Sequence, residues 1–152
     1  IAVARDAARG AVARQAGADH VLGEDDLTAA VRALGGADVL YDPVGGAGFD
    51  AALRAVKPGG RLVPIGFASG TVPQIPANLL LVKNLTAIGF YFGAFVRERP
   101  AVLAASLETL FAWHRLGRLH PHVSNVVALE EANAGLDLLR ARQATGKVVV
   151  RL

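Results

Sequence analysis

Cysteine and methionine are both absent from the 152 residues. Without cysteine there is no disulfide, no thiol nucleophile and no Cys-rich structural zinc site, which leaves His, Asp and Glu as the only metal ligands. No apolar run approaches the roughly 18 to 20 residues needed to cross a bilayer, and the first residues lack the basic, apolar and small-residue zones of a secretory signal. The expectation is a soluble cytoplasmic protein with no membrane partner. Basic blocks are also lacking. The formal net charge of +3 comes from arginines scattered among acidic residues. The basic, aromatic-interleaved stripe of nucleic-acid binders is missing, so no nucleic-acid partner is expected.

What the chain does have is apolar material: 53% of it is hydrophobic, ample for the core of one ordinary domain. Strand and helix signals alternate along it. "IAVA" is a short apolar run, and "DAARGAVARQAG" follows as a helix with Asp6 as N-cap and Gly17 as stop. "DHVLG" is a second strand. The next helix carries Leu27, Val31 and Leu34 at i, i+4, i+7 and stops at Gly35 and Gly36. "ADVLYDPV" is a third strand; the helix in "FDAALRAV" puts Phe49, Ala52, Leu53 and Val56 on one face; "KPGG" stops it; "RLVPIGF" is a fourth strand. After a polar loop and a helical turn near "PANLLLVKN", "LTAIGFYF" reads as a fifth, buried strand. A longer helix with Leu103, Leu107, Leu110 and Phe111 on one stripe comes next. Then follow "HVSNVVAL", a helix over about 129–142, and a last strand "GKVVVRL". Near-continuous apolar strands alternating with helices predict a doubly wound α/β fold, a parallel sheet covered on both faces.

One stretch, "DPVGGAGFDA" at 42–51, fits the dinucleotide spacing G-x-G-x-x-A at Gly46, Gly48 and Ala51. In such a fold that loop follows the first strand, and the next strand ends about 20 residues on in an acidic residue that grips the adenosine ribose. Here the next strand closes with "IGFASG", which offers no Asp or Glu. Arg5 and Asp6 instead end the first visible strand, where a second strand would meet the adenosine ribose. The strand count therefore shifts by one. The expectation is a Rossmann-type sheet that lacks its first strand and helix, roughly 30 residues of βαβ unit that would lie upstream of Ile1. In a 3-2-1-4-5-6 order that strand is central, so these residues alone should fold poorly and bind cofactor weakly.

With the frame so shifted, "DPVGG", "VKPGGRLVPIGFASG", "IPANLLLVKNLTAIGFYFGAF" and "ATGKVVVRL" together resemble the medium-chain dehydrogenase/reductase superfamily, in particular its zinc-independent NADPH:quinone oxidoreductases. The likeness runs over essentially the whole chain, in order, and covers the back half of such an enzyme. The resemblance implies a cofactor-binding domain over 1–95 and a return to the catalytic domain over 96–152. It also implies a homodimer paired through the 84–92 strand, and hydride transfer from NADPH to a small-molecule acceptor, a quinone or an activated C=C or C=O compound.

In open parallel sheets ligands bind beyond the carboxyl ends of the strands, so four strand-to-helix turns should form one rim. The resemblance puts Arg5 and Arg9 at the first, with Arg9 where relatives carry a Lys on the adenosine 2′-phosphate. It puts Val44, Gly45 and Gly46 at the second, Gly66, Phe67 and Ala68 at the third, and Tyr91, Phe92 and Gly93 at the fourth. Lys147 matches the family's ending near the pocket mouth. Two arginines favour NADPH. Against it, Asp6 suits the ribose hydroxyls of NADH, and the family's Tyr near the third strand is replaced around "VLGEDD". His120 and His122 have metal-ligand spacing but no third ligand, so no metal site is expected. No catalytic side chain is nominated. Two other readings stay open: a methyltransferase-like domain that uses S-adenosylmethionine, because "LRAVKPGGRLVPIG" also fits its helix-turn-strand, and a non-catalytic nucleotide-binding module.

Overall fold

The computed structural model describes all 152 residues. Strand β1 (Ala2–Val3) leads into helix α1 (Ala7–Gln15) and then β2 (Val21–Leu22), which pairs parallel to β1. Asp6 is the N-cap of α1: its carboxylate accepts the Arg9 N–H at 2.9 Å, satisfying one of the donors every helix start leaves open. Gly10 of α1 lies against β2. A Cβ there would stand 3.2 Å from Val21 Cγ1, so glycine lets the helix settle on the strand.

Helix α2 (Leu27–Ala33) is followed by β3 (Ala37–Asp42), α3 (Gly46–Ala55), β4 (Val56–Pro64), α4 (Ala77–Lys83) and β5 (Thr86–Ala87). β3, β4 and β5 form a parallel three-stranded sheet in that order. Part of the helix faces read from apolar spacing is buried; Leu34 and the stripe of Leu107, Leu110 and Phe111 in the later long helix are exposed, and Val56 belongs to β4. Phe49 and Leu53 of α3 pack with Val56 and Leu62 of β4, while Leu27 and Val31 of α2 pack with Ala55. The C-terminal ends of these helices are tied by cations. Arg32 donates to the Arg54 carbonyl at 3.0 Å, and Lys83 Nζ donates to the carbonyls of Arg54 and Val56. Burial first, and Arg32 second, push the Lys83 ammonium below its ordinary pKa.

The β1·β2 and β3·β4·β5 ladders do not join. Between them lies a cavity of about 870 Å³, lined by Ile1–Val3 on one side and the 37–42 stretch on the other, with Leu27, Val31, Phe49 and Ala52 in its wall. This is the doubly wound α/β plan with no strand in its central position.

The chain then forms α5 (Phe92–Glu98) and α6 (Pro100–Arg115), with Pro100 opening α6 where a missing N–H costs nothing. β6 (Val123–Ala128), a 3-10 turn at Leu129–Glu131, α7 (Ala132–Arg140) and β7 (Lys147–Arg151) follow, β7 pairing parallel to β6. Gly135 lets α7 lie on this ladder, since a Cβ would meet Val148 and Val127 at 3.2 and 3.3 Å. No helix is long and apolar enough to cross a membrane.

Three local expectations change. "KPGG" does not separate α3 from β4, because β4 begins at Val56; two steps along β3, Ala37 to Val39, oppose five along β4, Val56 to Arg61. The glycines permit that bulge: Gly59 has φ +77°, and a Cβ on Gly60 would collide with Val56. The fifth strand is two residues long and exposed rather than buried over 84–92, because its outer edge has no neighbour. Its aromatic end, from Phe92, is helix α5 instead.

Phe49 is 2% exposed at the centre of the larger core cluster. Phe49→Ala should cost roughly 3–5 kcal/mol, whereas Val102→Ala on exposed α6 should stay within about 0.5 kcal/mol. Urea unfolding of the full-length variants measures both.

Candidate functional site

Parallel pairing places the carboxyl ends of β3, β4 and β5 on one edge of their sheet. The turns that leave the first two are fastened together. The Ile65 N–H donates to Asp42 O at 2.8 Å, Ala68 N–H to Pro43 O at 3.1 Å and Ser69 N–H to Val44 O at 2.9 Å. Val44–Gly46 and Gly66–Ala68 therefore make one continuous wall. Glycine is required at its seam: Gly45 has φ +73°, and a Cβ there would lie 2.6 Å from Thr71 O and 3.5 Å from the Phe67 ring. Val44, Gly45 and Ser69 also line the cavity that Ile1–Val3 closes from the β1 side.

Asp42 organises this wall. It is 8% exposed, and its two carboxylate oxygens accept separate N–H groups, Val44 at 2.9 Å and Gly45 at 2.9 Å. The carboxylate thus sits at the mouth of α3, where backbone donors and the helix dipole favour an anion. In outline "DPVGGAGFDA" looks like a phosphate loop, yet its first two N–H groups are already taken by its own side chain.

The β1–α1 turn carries Arg5 and Arg9. Arg9 pairs with the Asp6 carboxylate through Nη1, and through Nη2 donates to Arg142 O at 2.6 Å and Ala144 O at 2.7 Å. Arg5 donates to the same Arg142 carbonyl at 2.7 Å. Both guanidiniums thus bind the segment after α7, whose Arg142 has φ +56°. The Arg9 backbone N–H is the largest influence holding the Asp6 carboxyl below its ordinary pKa, with the Arg9 and Arg5 guanidiniums adding to it against some desolvation.

Tyr91 precedes α5 and is 76% exposed, while Phe92 and Gly93 open that helix. The Tyr91 ring lies over Gly93, whose absent Cβ would otherwise sit 2.7 Å from it. Beneath, Phe90 and Phe95 pack at 5.4 Å between centroids, with the Arg99 guanidinium 5.9 Å from Phe95. Lys147 opens β7 in the separate two-stranded sheet, its backbone N–H on His122 O at 2.9 Å. His122 Nε2 meets Thr145 Oγ1 at 3.2 Å and His114 Nδ1 meets Leu119 O at 3.0 Å. No three His, Asp or Glu side chains gather as a metal site.

The structure thus brings the second and third turns together, ties Arg5 and Arg9 of the first to the Arg142–Ala144 segment, puts the fourth at the start of α5 and leaves Lys147 on another sheet. Three participants escaped the sequence reading: Asp42, the Ser69–Thr71 segment, and the carbonyls of Arg142 and Ala144. For Asp42 the only signal was an Asp three residues before the glycine pair at a strand end, which any strand-end acid could give. The carbonyl contacts span over 130 residues of sequence and left none.

Residues 16–150 match the model of the family described as zinc-binding dehydrogenase. Quinone oxidoreductase-like protein 2 of Bos taurus is 42% identical over 118 residues, 78% of this chain and 34% of that protein. Prostaglandin reductase-3 of Mus musculus is 34% identical over 133 residues, again 34% of its length. Among solved structures, the quinone oxidoreductase of Thermus thermophilus, also crystallised in complex with NADPH, superposes with a TM-score of 0.81 at 34% identity, over 99% of this chain and 48% of that one. The chain therefore spans about a third of the curated relatives it matches.

The Asp6 carboxyl yields a pH test. Because its folded pKa is lowered, the cap's contribution is fully present above the ordinary Asp value and is lost as pH falls through the folded one. Asp6→Asn should therefore be less stable than the parent at neutral pH, and the gap should close as the solution is acidified past the ordinary Asp range. Thermal melts across that range measure it.

Proposed function

We propose that this chain, which belongs to the zinc-binding dehydrogenase family of the medium-chain dehydrogenase/reductase superfamily, is the cofactor-binding portion of an NADPH-dependent oxidoreductase. Its acceptor is a quinone or an activated C=C or C=O compound. The observation that carries this reading is the fastened wall of Val44–Gly46 and Gly66–Ala68 at the carboxyl ends of parallel strands, where open α/β sheets bind ligands. The similarity to quinone oxidoreductase-like and prostaglandin reductase proteins supports the acceptor class.

The residues present suit a nicotinamide dinucleotide. Gly45 and Gly46 let the 69–73 loop close on the β3–α3 turn and shape the wall, Phe67 and Tyr91 offer aromatic surface, and Arg5 and Arg9 put two permanent cations at the first turn. Bound NADPH would supply the hydride and carry the redox chemistry. The chain's own part is to hold that cofactor in one orientation, exclude water along the wall and counter the charge of a 2′-phosphate. No catalytic side chain is assigned to these residues. Zinc independence is part of the proposal.

The exposed β5 edge, with unpaired backbone and apolar Ile88 and Phe90 beyond it, supports a homodimer that pairs the 84–92 segments of two copies. Sedimentation of the full-length protein should give twice the protomer mass; a monomer at micromolar concentration would refute the pairing.

Arg9→Glu, which sets a carboxylate against a dianionic phosphate, should raise the NADPH KM of the full-length enzyme at least about tenfold and the NADH KM far less. Steady-state kinetics with both cofactors and a simple benzoquinone measures this. Equal effects on the two would remove the 2′-phosphate from Arg9, and no hydride transfer to quinones or enones would overturn the function.

A further inference from the structure

We propose that the cleft at the amino ends of β3, β4 and β5 is a second ligand site, one that binds a small phosphorylated anion. The cleft lies at the opposite edge of the sheet from the rim, because parallel pairing sends the two ends of these strands to opposite edges. Gly35 and Gly36 stand just before β3, residues 54–58 carry the chain from α3 into β4, and Lys83 ends α4 before β5. Together with Arg32 they enclose about 290 Å³. That is the lower end of the range for small-molecule pockets, with room for a phosphate and a short organic body. The inference needs nothing from the cofactor reading.

Arg32, Arg54, Lys57 and Lys83 line this cleft, and no carboxylate does. Arg32, Arg54 and Lys83 belong to the last turns of α2, α3 and α4. A cation at a helix end is ordinary, since it answers the carbonyls left open there. That accounts for Lys83, which donates to Arg54 O at 3.1 Å and to Val56 O. It leaves most of the arginine donors over. A guanidinium carries five N–H groups, yet Arg32 gives the chain one hydrogen bond, to Arg54 O at 3.0 Å, and Arg54 gives one, to Asp50 O at 2.8 Å. The four charges meet a single carboxylate, Asp38, which stands 2.8 Å from Lys57.

Like charges gathered around one cleft repel each other, and the lowered pKa of the Lys83 ammonium, due to desolvation and then to Arg32, reflects that cost. A dianion in the cleft removes the repulsion and takes up the spare donors. Two planar guanidinium forks beside the point charges of lysines form the donor set that suits phosphate. A phosphomonoester brings three acceptor oxygens and nearly two charges, where a carboxylate brings two oxygens and one charge, so the cluster favours phosphate. Gly36 helps to build the site. It has φ +81°, and a Cβ there would stand 2.8 Å from Lys57 Cγ, so glycine lets the Lys57 stem lie along the wall.

The test uses the full-length protein, with inorganic phosphate and glycerol 3-phosphate as probes and chloride at equal ionic strength as reference. Inorganic phosphate should bind with a Kd of about 1 mM or tighter. Well above that concentration, each probe should raise the thermal midpoint of the parent by at least about 2 °C over chloride. Arg32→Gln and Arg54→Gln should each lose more than about half of that shift, while Arg14→Gln, which removes a last-turn cation outside the cleft, keeps it. Amine labelling with trinitrobenzenesulfonate, read at each lysine by mass spectrometry, locates the anion. Phosphate should slow the labelling of Lys83 at least about fivefold and leave Lys147 unchanged. The inference is overturned by a parent that gains no more from phosphate than from chloride, by a shift that survives both substitutions, or by Lys83 that is shielded no more than Lys147. Where a variant does not fold, the Lys83 labelling of the parent decides.

Discussion

The N–H groups of Val44 and Gly45 meet on one buried carboxylate, and the shape of the strand-end wall follows from that meeting. Asp42 holds the chain in the tight bend that lets Gly45 reach φ +73° and turn directly into α3. With the bend so held, the carbonyls of Pro43 and Val44 point at the next turn and accept Ala68 and Ser69. Each of these hydrogen bonds is ordinary in length. Their placement matters because a buried carboxylate stripped of its two donors is costly, so the bend cannot relax without losing both. The apolar anchor lies one helical turn further on, where Phe49 fastens α3 to β4.

That anchored region is small beside the rest of the molecule. The accessible surface is 10543 Å², against roughly 7,300 Å² for a compact protein of this mass. Much of the difference is apolar. α5 and α6 bury no residue at all, and Val102, Leu107, Leu110, Phe111 and Trp113 of α6 stand open. Faces of this composition are built to be covered. So is the cavity between β1 and β3, whose two flanking strands each present an unpaired edge.

Apolar periodicity was enough to find nearly every element, because burial in a layered α/β fold acts on each helix face separately. Leu27 with Val31, and Phe49 with Leu53, declared their faces by spacing alone. Periodicity failed where the backbone departs from regular pairing. The bulge at Lys57–Gly60 has the composition of a turn, and only its neighbour across the ladder makes it strand. The 84–92 segment has the composition of a buried strand, but burial needs a partner, and composition says nothing of whether one is present. In the rim, the glycines could be read as backbone approach points, since the absence of Cβ is visible in a sequence. Asp42 could not be separated from any other strand-end acid until its two oxygens were seen to be engaged.

The two ends of the rim handle charge in opposite ways. At the β3 turn a negative charge is neutralised by backbone dipoles and kept out of water. At the β1 turn two positive charges stay partly in water, and their donors rest on the carbonyls of Arg142 and Ala144. A carbonyl is a weaker partner for a guanidinium than a phosphate is. An anion that arrives at the first turn therefore replaces these contacts instead of adding to them, and its net gain is the difference between the two. The replaced contacts are the ones that tie the β1–α1 turn to the segment between α7 and β7. An anion bound at Arg9 would thus compete with the contacts that hold the Arg142–Ala144 segment against the β1–α1 turn.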